Sequence, residues 1–235
     1  MFFKKKKIVL EAYAPVGDLI DLFPIVESSK CIPTWYTKLP PSNTSNPNVR
    51  SCFGLKDLYK KGIIIPLWSD YDVTIDPMRG ISAVSGMQNQ ATFPPLVSND
   101  IASQTAGAWP NYANLKFNSP WLFWCSEPIQ WVWVQPVWWQ KDPQQMVLVT
   151  ASAEFRGQHD SNISTLIRMP NQTETISFKA GLPMAQLIPL TDEPWELKNM
   201  VMTKEIFDKK FAHWEFSLNP KLRYPKIRNI LNRKQ

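Results

Sequence analysis

The stretch PWLFWCSEPIQWVWVQPVWWQ, residues 120–140, decides the fold because it holds six of the eleven tryptophans in the chain. Successive residues of a β-strand point to opposite faces. From residue 131 to 139, one face carries Trp, Trp, Gln, Val and Trp, and the other carries Val, Val, Pro and Trp. Two apolar faces are typical of a strand covered on both sides, and the segment lacks the charged face that a membrane-surface helix needs. The sequence therefore predicts core or intersubunit packing, with Trp138 and Trp139 as candidates for stacking on a sugar or a base.

Strand patterns also dominate the rest of the chain. A hairpin is predicted across residues 121–139, with SEPIQ as its turn. Further strands are predicted from alternating or β-branched runs at 7–13, 62–76, 146–155, 163–169, 175–179 and 184–190. The 21 prolines oppose long helices, since each lacks an N–H and clashes with the preceding turn.

Helix signals are short and lie mainly near the end of the chain. One helical turn at 55–59 is expected to stop at Gly62, and Thr203 is expected to cap a helix that runs to about Trp214. The sequence thus predicts a mainly β fold, a β-sandwich, jelly roll or small barrel, with a short helical C-terminal appendage. The predicted parts are a basic N-terminal arm (1–7), a β-rich domain (8–200) and a helical, basic C-terminal extension (201–235).

The net charge of +6 is concentrated at the two ends of the chain. Four lysines precede the first strand, and residues 206–235 carry eight basic residues against two acidic ones, which leaves about −4 for the remainder. Basic ends can hold nucleic acid, an anionic membrane or an acidic protein surface, or can simply keep loose termini in solution. The candidate binding residues at the ends are Lys4, Lys5, Lys6, Lys7, Arg223 and Arg228.

Targeting and redox features are sparse. The chain has no run of 18 apolar residues, so no transmembrane helix is expected. Its start lacks an apolar stretch followed by a cleavage site, so no secretion signal is expected either. The three cysteines show no CxxC spacing, which indicates a reducing compartment and no disulfide framework.

Patterns that carry catalytic chemistry are missing from the sequence. His159 and His213 lack the spacing of an iron or zinc site, and neither a glycine-rich nucleotide loop nor a GxSxG elbow occurs. We therefore expect no metal and no cofactor, assign no catalytic residue, and lean towards a protein that is not an enzyme. Three alternating acids, Asp70, Asp72 and Asp76, are consistent with a cation site, a contact for a basic partner or a solvated strand face.

An enzyme is retained as an alternative hypothesis. It requires a pocket lined by Trp68, Asp70 and Trp121, with His159 as a further member, in which polar groups converge and at least one pKa is shifted. Such a pocket would process a small molecule.

Two segments resemble the closing part of the trimeric dUTPase family. The similar residues are Glu154, Phe155, Arg156 and Gly157, followed by Gly181, Ala185, Gln186 and Leu187. Ser152 stands where that family has its water-activating aspartate, and a serine cannot serve as a general base at neutral pH. The family's phosphate-binding Arg-Ser-Gly motif also has no counterpart. The resemblance thus implies a similar strand arrangement and not nucleotide hydrolysis.

A longer part of the chain, roughly residues 7–200, resembles an uncharacterised family encoded by tailed phages of marine bacteria, including cyanophages. The resemblance is carried by CIPTWYTKLP, CFGLKDLYKKGIIIPLWSDYDV, FNSPW, QP at 135–136 and AGLPMAQLIPLTD. It implies a phage origin and a place in the virion or in the host cytoplasm. It supplies no catalytic residues.

Together these features predict a non-catalytic, virion-associated structural or binding β-domain that uses an aromatic surface and its basic termini for assembly contacts. The expected partners are other viral or host proteins or a second copy of the chain, with nucleic acid as a further partner of the termini. A small-molecule enzyme and a modulator of a host protein remain the alternatives. The candidate binding residues within the domain are Trp68, Asp70, Trp121, Trp138 and Trp139.

Overall fold

The computed structural model describes residues 7–45, 47–85, 97–99, 109, 111–139, 146–156 and 161–211. Within these residues the protein is mainly β, which confirms the predicted fold class. The strands are β1 (Ile8–Ala14), β2 (Val26–Glu27), β3 (Ile63–Pro66), β4 (Tyr71–Asp76), β5 (Gly80–Ser85), β6 (Val97–Asn99), β7 (Tyr112–Phe117), β8 (Leu122–Cys125), β9 (Gln130–Val134), β10 (Met146–Leu148), β11 (Ser152–Glu154), β12 (Ile163–Arg168), β13 (Glu174–Phe178), β14 (Pro183–Pro189) and β15 (Trp195–Val201).

The helices of the described residues are short. They are α1 (Gly17–Leu22), α2 (Thr34–Thr37), α3 (Phe53–Leu58) and α4 (Lys204–Lys210), with single 3-10 turns at Ser28–Lys30, Val49–Ser51 and Val137–Trp139. None of them has the length and apolar character needed to cross a bilayer. The predicted cap of α4 is confirmed, because the side chain of Thr203 accepts a hydrogen bond from the backbone N–H of Ile206 at 3.2 Å. Trp214, the expected end of that helix, lies outside the described residues.

Four sheets build the domain. Their strand orders are β15-β1-β8, β10-β12-β7-β6, β11-β9-β14-β3-β2 and β13-β4-β5. The described pairs are antiparallel except β1 and β15, which run parallel and place Ile8 opposite Trp195. The first and last strands of the β-rich domain therefore lie side by side, although almost the whole domain separates them in sequence.

One hydrophobic core collects side chains from all four sheets. Leu10 of β1, Val73 of β4, Leu115 of β7 and Trp131 of β9 each have no exposed surface. Strand β4 shows the cause, since its alternate residues are buried while Asp72 between them is exposed. Covering these side chains from several sheets supplies the main stabilising free energy of the fold.

The hairpin predicted across residues 121–139 is wrong. Strand β8 pairs with β1, whereas β9 pairs with β14 and β11 in a different sheet. The backbone groups at the end of β8 are already used: Cys125 donates its N–H to Phe155 at 3.1 Å and Ser126 donates to Val9 at 2.9 Å. The apolar pattern gave the strands correctly but could not tell which neighbours cover them.

The run at 62–76 also differs from its prediction as one strand. It divides into β3 and β4 because Leu67 bonds the 181–182 turn, donating to the carbonyl of Leu182 and accepting from the N–H of Gly181, both at 2.7 Å. Gly62 has the predicted left-handed conformation, with a φ of 76°, but it does not stop the helix, because α3 ends at Leu58 and is capped by Tyr59.

Candidate binding surface

The tryptophans of the opening stretch divide into a buried and an exposed group. Trp121, Trp131 and Trp133 are buried in the core, which confirms the packing prediction for these three. Trp138 lies beyond the end of β9, where Pro136 precedes the 3-10 turn, and 39% of its surface is exposed. Trp139 is half-buried. The indole most available to a partner in this stretch is therefore Trp138.

Trp138 is joined by Trp35, a residue of α2 that the sequence did not single out. The indole Nε1–H of Trp35 donates to the carbonyl oxygen of Trp138 at 2.8 Å, and the two ring centroids are 5.5 Å apart at an angle of 43°. Trp35 is also 39% exposed. These two residues, called the indole pair below, present two large apolar rings on the protein surface.

A set of buried aromatic rings supports the indole pair. Tyr36, next to Trp35, lies 4.8 Å from the ring of Tyr59, which in turn meets the ring of Trp139 edge-on at 5.3 Å. Tyr36 and Tyr59 are buried, and burial raises the pKa of Tyr59 to about 12. Such edge-to-face contacts fix the positions of the rings. The indole pair thus sits on a packed base and not on a loose loop.

The backbone beneath this base is held by one buried side chain, Gln186 of β14. Its Nε2 donates to the carbonyl oxygen of Leu58 at 2.7 Å and to that of Lys61 at 2.8 Å, at the end of α3. Next to this contact, a Cβ on Gly62 would lie 1.8 Å from the carbonyl oxygen of Leu187, so only glycine fits. Gln186 belongs to the segment that resembles the dUTPase family, and in this protein it satisfies helix-end carbonyls.

The 3-10 turn that carries Trp138 and Trp139 is positioned by Gln135. The amide of Gln135 donates to the carbonyl oxygen of Met146 at 2.8 Å and accepts from the N–H of Leu148 at 2.9 Å. These bonds connect the end of β9 with β10. Both sides of the indole pair are therefore anchored to the β-domain.

Residues 28–61, called the basic lobe below, contain Trp35 and carry a positive charge. They contain a single acidic residue, Asp57, against six basic ones, Lys30, Lys38, Arg50, Lys56, Lys60 and Lys61. Only Lys30 of these forms an ion pair with a described residue, at 3.6 Å from Glu27. The net charge of about −4 between the two basic ends hides this positive segment, because acidic residues elsewhere in the domain outweigh it. A charge count over residues 28–61 alone reveals it.

A groove of about 720 Å³ lies at the edge of the basic lobe. Its lining includes two basic residues, Lys60 and Lys61, and two acidic residues, Asp192 and Glu193. Trp195 adds an aromatic ring to the lining. The groove is open to solvent and has the mixed polarity that suits a dipolar ligand.

The pocket predicted for the enzyme hypothesis is not assembled among the described residues. Trp68 and Trp121 have no exposed surface, and the indole of Trp68 donates to the hydroxyl of Tyr71 at 3.0 Å within the core. Asp70 is on the surface, where it accepts from the N–H of Ala180 at 2.8 Å and from Lys179 at 3.1 Å. These contacts lower the pKa of Asp70, the backbone bond most. Neither Trp68 nor Trp121 can contact a ligand, because the surrounding core covers both indoles. His159 lies outside the described residues.

The other two acids of the predicted row have structural partners of their own. Asp72 accepts from the hydroxyl of Ser177 at 2.6 Å. Asp76 accepts from the N–H groups of Met78 and Arg79, which lower its pKa and close the turn between β4 and β5. No three metal-ligating side chains converge anywhere in the described residues. The row of acids is therefore explained by hydrogen bonds within this sheet.

The basic ends are described only in part. Lys7 is exposed, and its Nζ lies 3.2 Å from the carboxylate of Glu196. Lys198 and Lys7 together lower the pKa of that glutamate. Lys4, Lys5, Lys6, Arg223 and Arg228 lie outside the described residues.

Lys210, at the end of α4, is engaged inside the domain. Its Nζ contacts the carboxylate of Glu11, lies 2.8 Å from the hydroxyl of Tyr13 and sits 3.9 Å above the ring of Trp124. Burial and the neighbouring Glu11 raise the pKa of Tyr13. Part of the positive charge near the C-terminus therefore serves to dock α4 on β1 and β8.

Comparisons with protein-family models, with curated proteins and with solved structures find no match for this chain. Function is accordingly inferred from the indole pair, its supports and the charge around it.

Proposed function

We propose that the protein is a non-catalytic, virion-associated structural or binding β-domain of a tailed phage, and that the indole pair forms its assembly contact. The observation that carries the proposal is the exposure of Trp35 and Trp138, which lie together and are each 39% exposed on a fixed base. The resemblance of residues 7–200 to a phage-encoded family supports the viral origin.

Two adjacent exposed indoles have an energetic cost that a partner removes. Covering the exposed part of each ring buries on the order of 100 Å². At about 25 cal/mol per Å², the pair contributes roughly 5 kcal/mol before the costs of association are subtracted. Tryptophan is also enriched among the residues that dominate binding energy at interfaces.

Preorganisation strengthens this contact. The hydrogen bond from Trp35 to Trp138 and the rings of Tyr36, Tyr59 and Trp139 hold both indoles before a partner arrives. Little side-chain entropy then remains to be lost on binding. The arrangement is that of a prepared surface.

The proposal is tested with particles of the phage that encodes the protein, purified by density gradient and analysed by mass spectrometry. We expect the chain in a fixed ratio to a capsid protein. Its absence from particles, while it is present in the infected-cell lysate, would contradict a virion-associated role.

A small-molecule enzyme or a modulator of a host protein is the second candidate, favoured by the groove between Lys60, Lys61 and the acids of residues 192–193. Capture of a host protein by the intact chain, lost on Lys61→Glu and kept on Trp35→Ala, would select this candidate. If Trp35→Ala abolishes capture of the host protein instead, the contact lies at the indole pair.

A further inference from the structure

We propose that the ligand of the indole pair is single-stranded nucleic acid, with unpaired bases on the indoles and phosphates on the basic lobe. This inference rests on the proposed binding function and names the partner class of the same surface. It assigns the contact to Trp35 and Trp138 together with Lys38 and Arg50, none of which belongs to the basic ends.

The charge around the indole pair matches a phosphate backbone. Lys38 follows Trp35 by three positions at the end of α2, a spacing that places both on one side of the helical turn. The guanidinium of Arg50 donates to the carbonyl oxygen of Leu39 at 2.5 Å, which fixes a second cation next to Lys38. Both side chains belong to exposed residues that form no ion pair within the described part of the chain. Such cations strengthen the binding of a nucleic acid, because neutralising its phosphates releases the counterions condensed on them.

The exposed rings favour bases that are not paired. An unpaired base presents its flat face, and stacking on an aromatic side chain stabilises the complex by about 1–3 kcal/mol per base. The centroids of the indole pair are only 5.5 Å apart, which leaves no room for a base between them. Bases must therefore stack on the outward faces of the two indoles. The bases of a duplex cannot do this, because they are already stacked on each other inside the double helix.

An apolar protein partner fits this surface less well. The other exposed residues of α2 are the polar Thr34 and Thr37, and the exposed Lys38 follows the helix directly. Stable protein interfaces bury about 800 Å² on each side and exclude charge from their centre. Exposed aromatic rings on a segment whose cations form few ion pairs with the described residues are the combination that binds single-stranded nucleic acid.

The test uses the full-length protein and a thymidine oligonucleotide about a dozen residues long, within the size range of such sites. Fluorescence anisotropy of an end-labelled oligonucleotide gives Kd over a series of salt concentrations, a signal that does not depend on Trp35 or Trp138. We expect Trp35→Ala with Trp138→Ala to raise Kd at least about tenfold at every salt concentration, since stacking is not a counterion effect. We expect Lys38→Gln with Arg50→Gln to reduce the slope of log K against log salt by about 1.4, since each phosphate contact on a single strand contributes about 0.7.

Trp109→Ala is the matched control, because Trp109 is an aromatic residue of similar exposure (48%) outside the basic lobe. It should leave Kd unchanged, which separates the indole pair from nonspecific binding by the basic termini. Equal Kd values for Trp109→Ala and the double indole variant, or equal affinity for a duplex of the same length, would overturn the proposal. Binding of polyglutamate in place of the oligonucleotide would overturn it too and identify an acidic protein partner.

Failure of this inference is distinguishable from failure of the proposed function. If the double indole variant is lost from particles but the oligonucleotide does not bind, the assembly contact stands and its partner is a protein. If the oligonucleotide binds through the indole pair but the chain is absent from particles, the nucleic-acid inference stands and the virion role fails.

Discussion

Trp35 and Trp138 lie 103 residues apart in sequence, yet the indole N–H of the first is bonded to the backbone carbonyl of the second at 2.8 Å. Because each of these two residues is 39% exposed, Trp35→Ala removes less buried surface than the substitution of a core tryptophan. We expect it to lower the free energy of unfolding by about 2 kcal/mol, the value of one hydrogen bond and the packing of the buried part of the ring. Urea unfolding measures this. A loss above about 3 kcal/mol would mean that Trp35 is a core residue and not a surface contact.

Substitution of a core indole should behave differently. Trp131 has no exposed surface and packs against Phe155 and Trp195. Trp131→Ala should cost about 3–5 kcal/mol, because it leaves a cavity the size of an indole ring. Urea unfolding of this variant beside Trp35→Ala compares the two environments directly, and equal costs would contradict the division into buried and exposed tryptophans.

Gln186 should support the surface from beneath. Gln186→Leu keeps the side-chain volume but leaves the carbonyl oxygens of Leu58 and Lys61 without this donor. We expect a loss of about 1–3 kcal/mol and faster amide exchange in α3, measured by hydrogen–deuterium exchange. Exchange in β12, which lies in another sheet, serves as the internal control. Unchanged exchange in α3 would show that the glutamine does not hold the lobe.

The hydroxyl of Tyr71 predicts a loss of stability at alkaline pH. Burial raises its pKa from 10.0 to about 12, so the folded protein keeps the neutral phenol where the unfolded chain already ionises. This contribution is complete below pH 10 and is lost as the pH rises through about 12. Tyr71→Phe should therefore flatten the fall in thermal stability over that range. At neutral pH it should cost about 1–3 kcal/mol, since the indole N–H of Trp68 loses its acceptor.

Lys210 should control the docking of α4. Lys210→Met retains the aliphatic stem but leaves the carboxylate of Glu11 without its cation. We expect increased amide exchange in α4 and a stability loss of about 1–3 kcal/mol. Restoration of both by the double variant Glu11→Gln with Lys210→Met would attribute the effect to the charge pair. Unchanged exchange in the single variant would show that Phe207 and Phe211 dock the helix alone.

The alternation of apolar residues was sufficient to predict the class of the fold and most of its strands. It did not predict which strands are neighbours, since β8 and β9 are equally apolar but enter different sheets. The parallel pairing of β1 with β15 depends on contacts across almost the whole domain, and no local pattern encodes such a contact. Local spacing therefore predicts elements better than partners.

The sequence pointed to one of the two tryptophans of the indole pair. Trp138 was named together with Trp139 as a candidate for stacking, and Trp138 is the more exposed of the two. Trp35 was missed because a single tryptophan in a proline-rich segment carries no periodic signal. Trp68 and Trp121 were chosen as binding residues for their residue type, but both indoles are buried in the core. Exposure is a tertiary property that single residues in a sequence do not report.

The role of the indole pair in assembly is tested most directly by the amount of the protein in purified particles. Three chains are compared: the wild type, the double variant Trp35→Ala with Trp138→Ala, and the control Trp109→Ala. All three should fold and accumulate equally in the infected cell. We expect only the double variant to be depleted from purified particles, by about tenfold or more, because it loses the residues that dominate the assembly contact. Equal incorporation of all three chains would contradict a role for the indole pair in assembly.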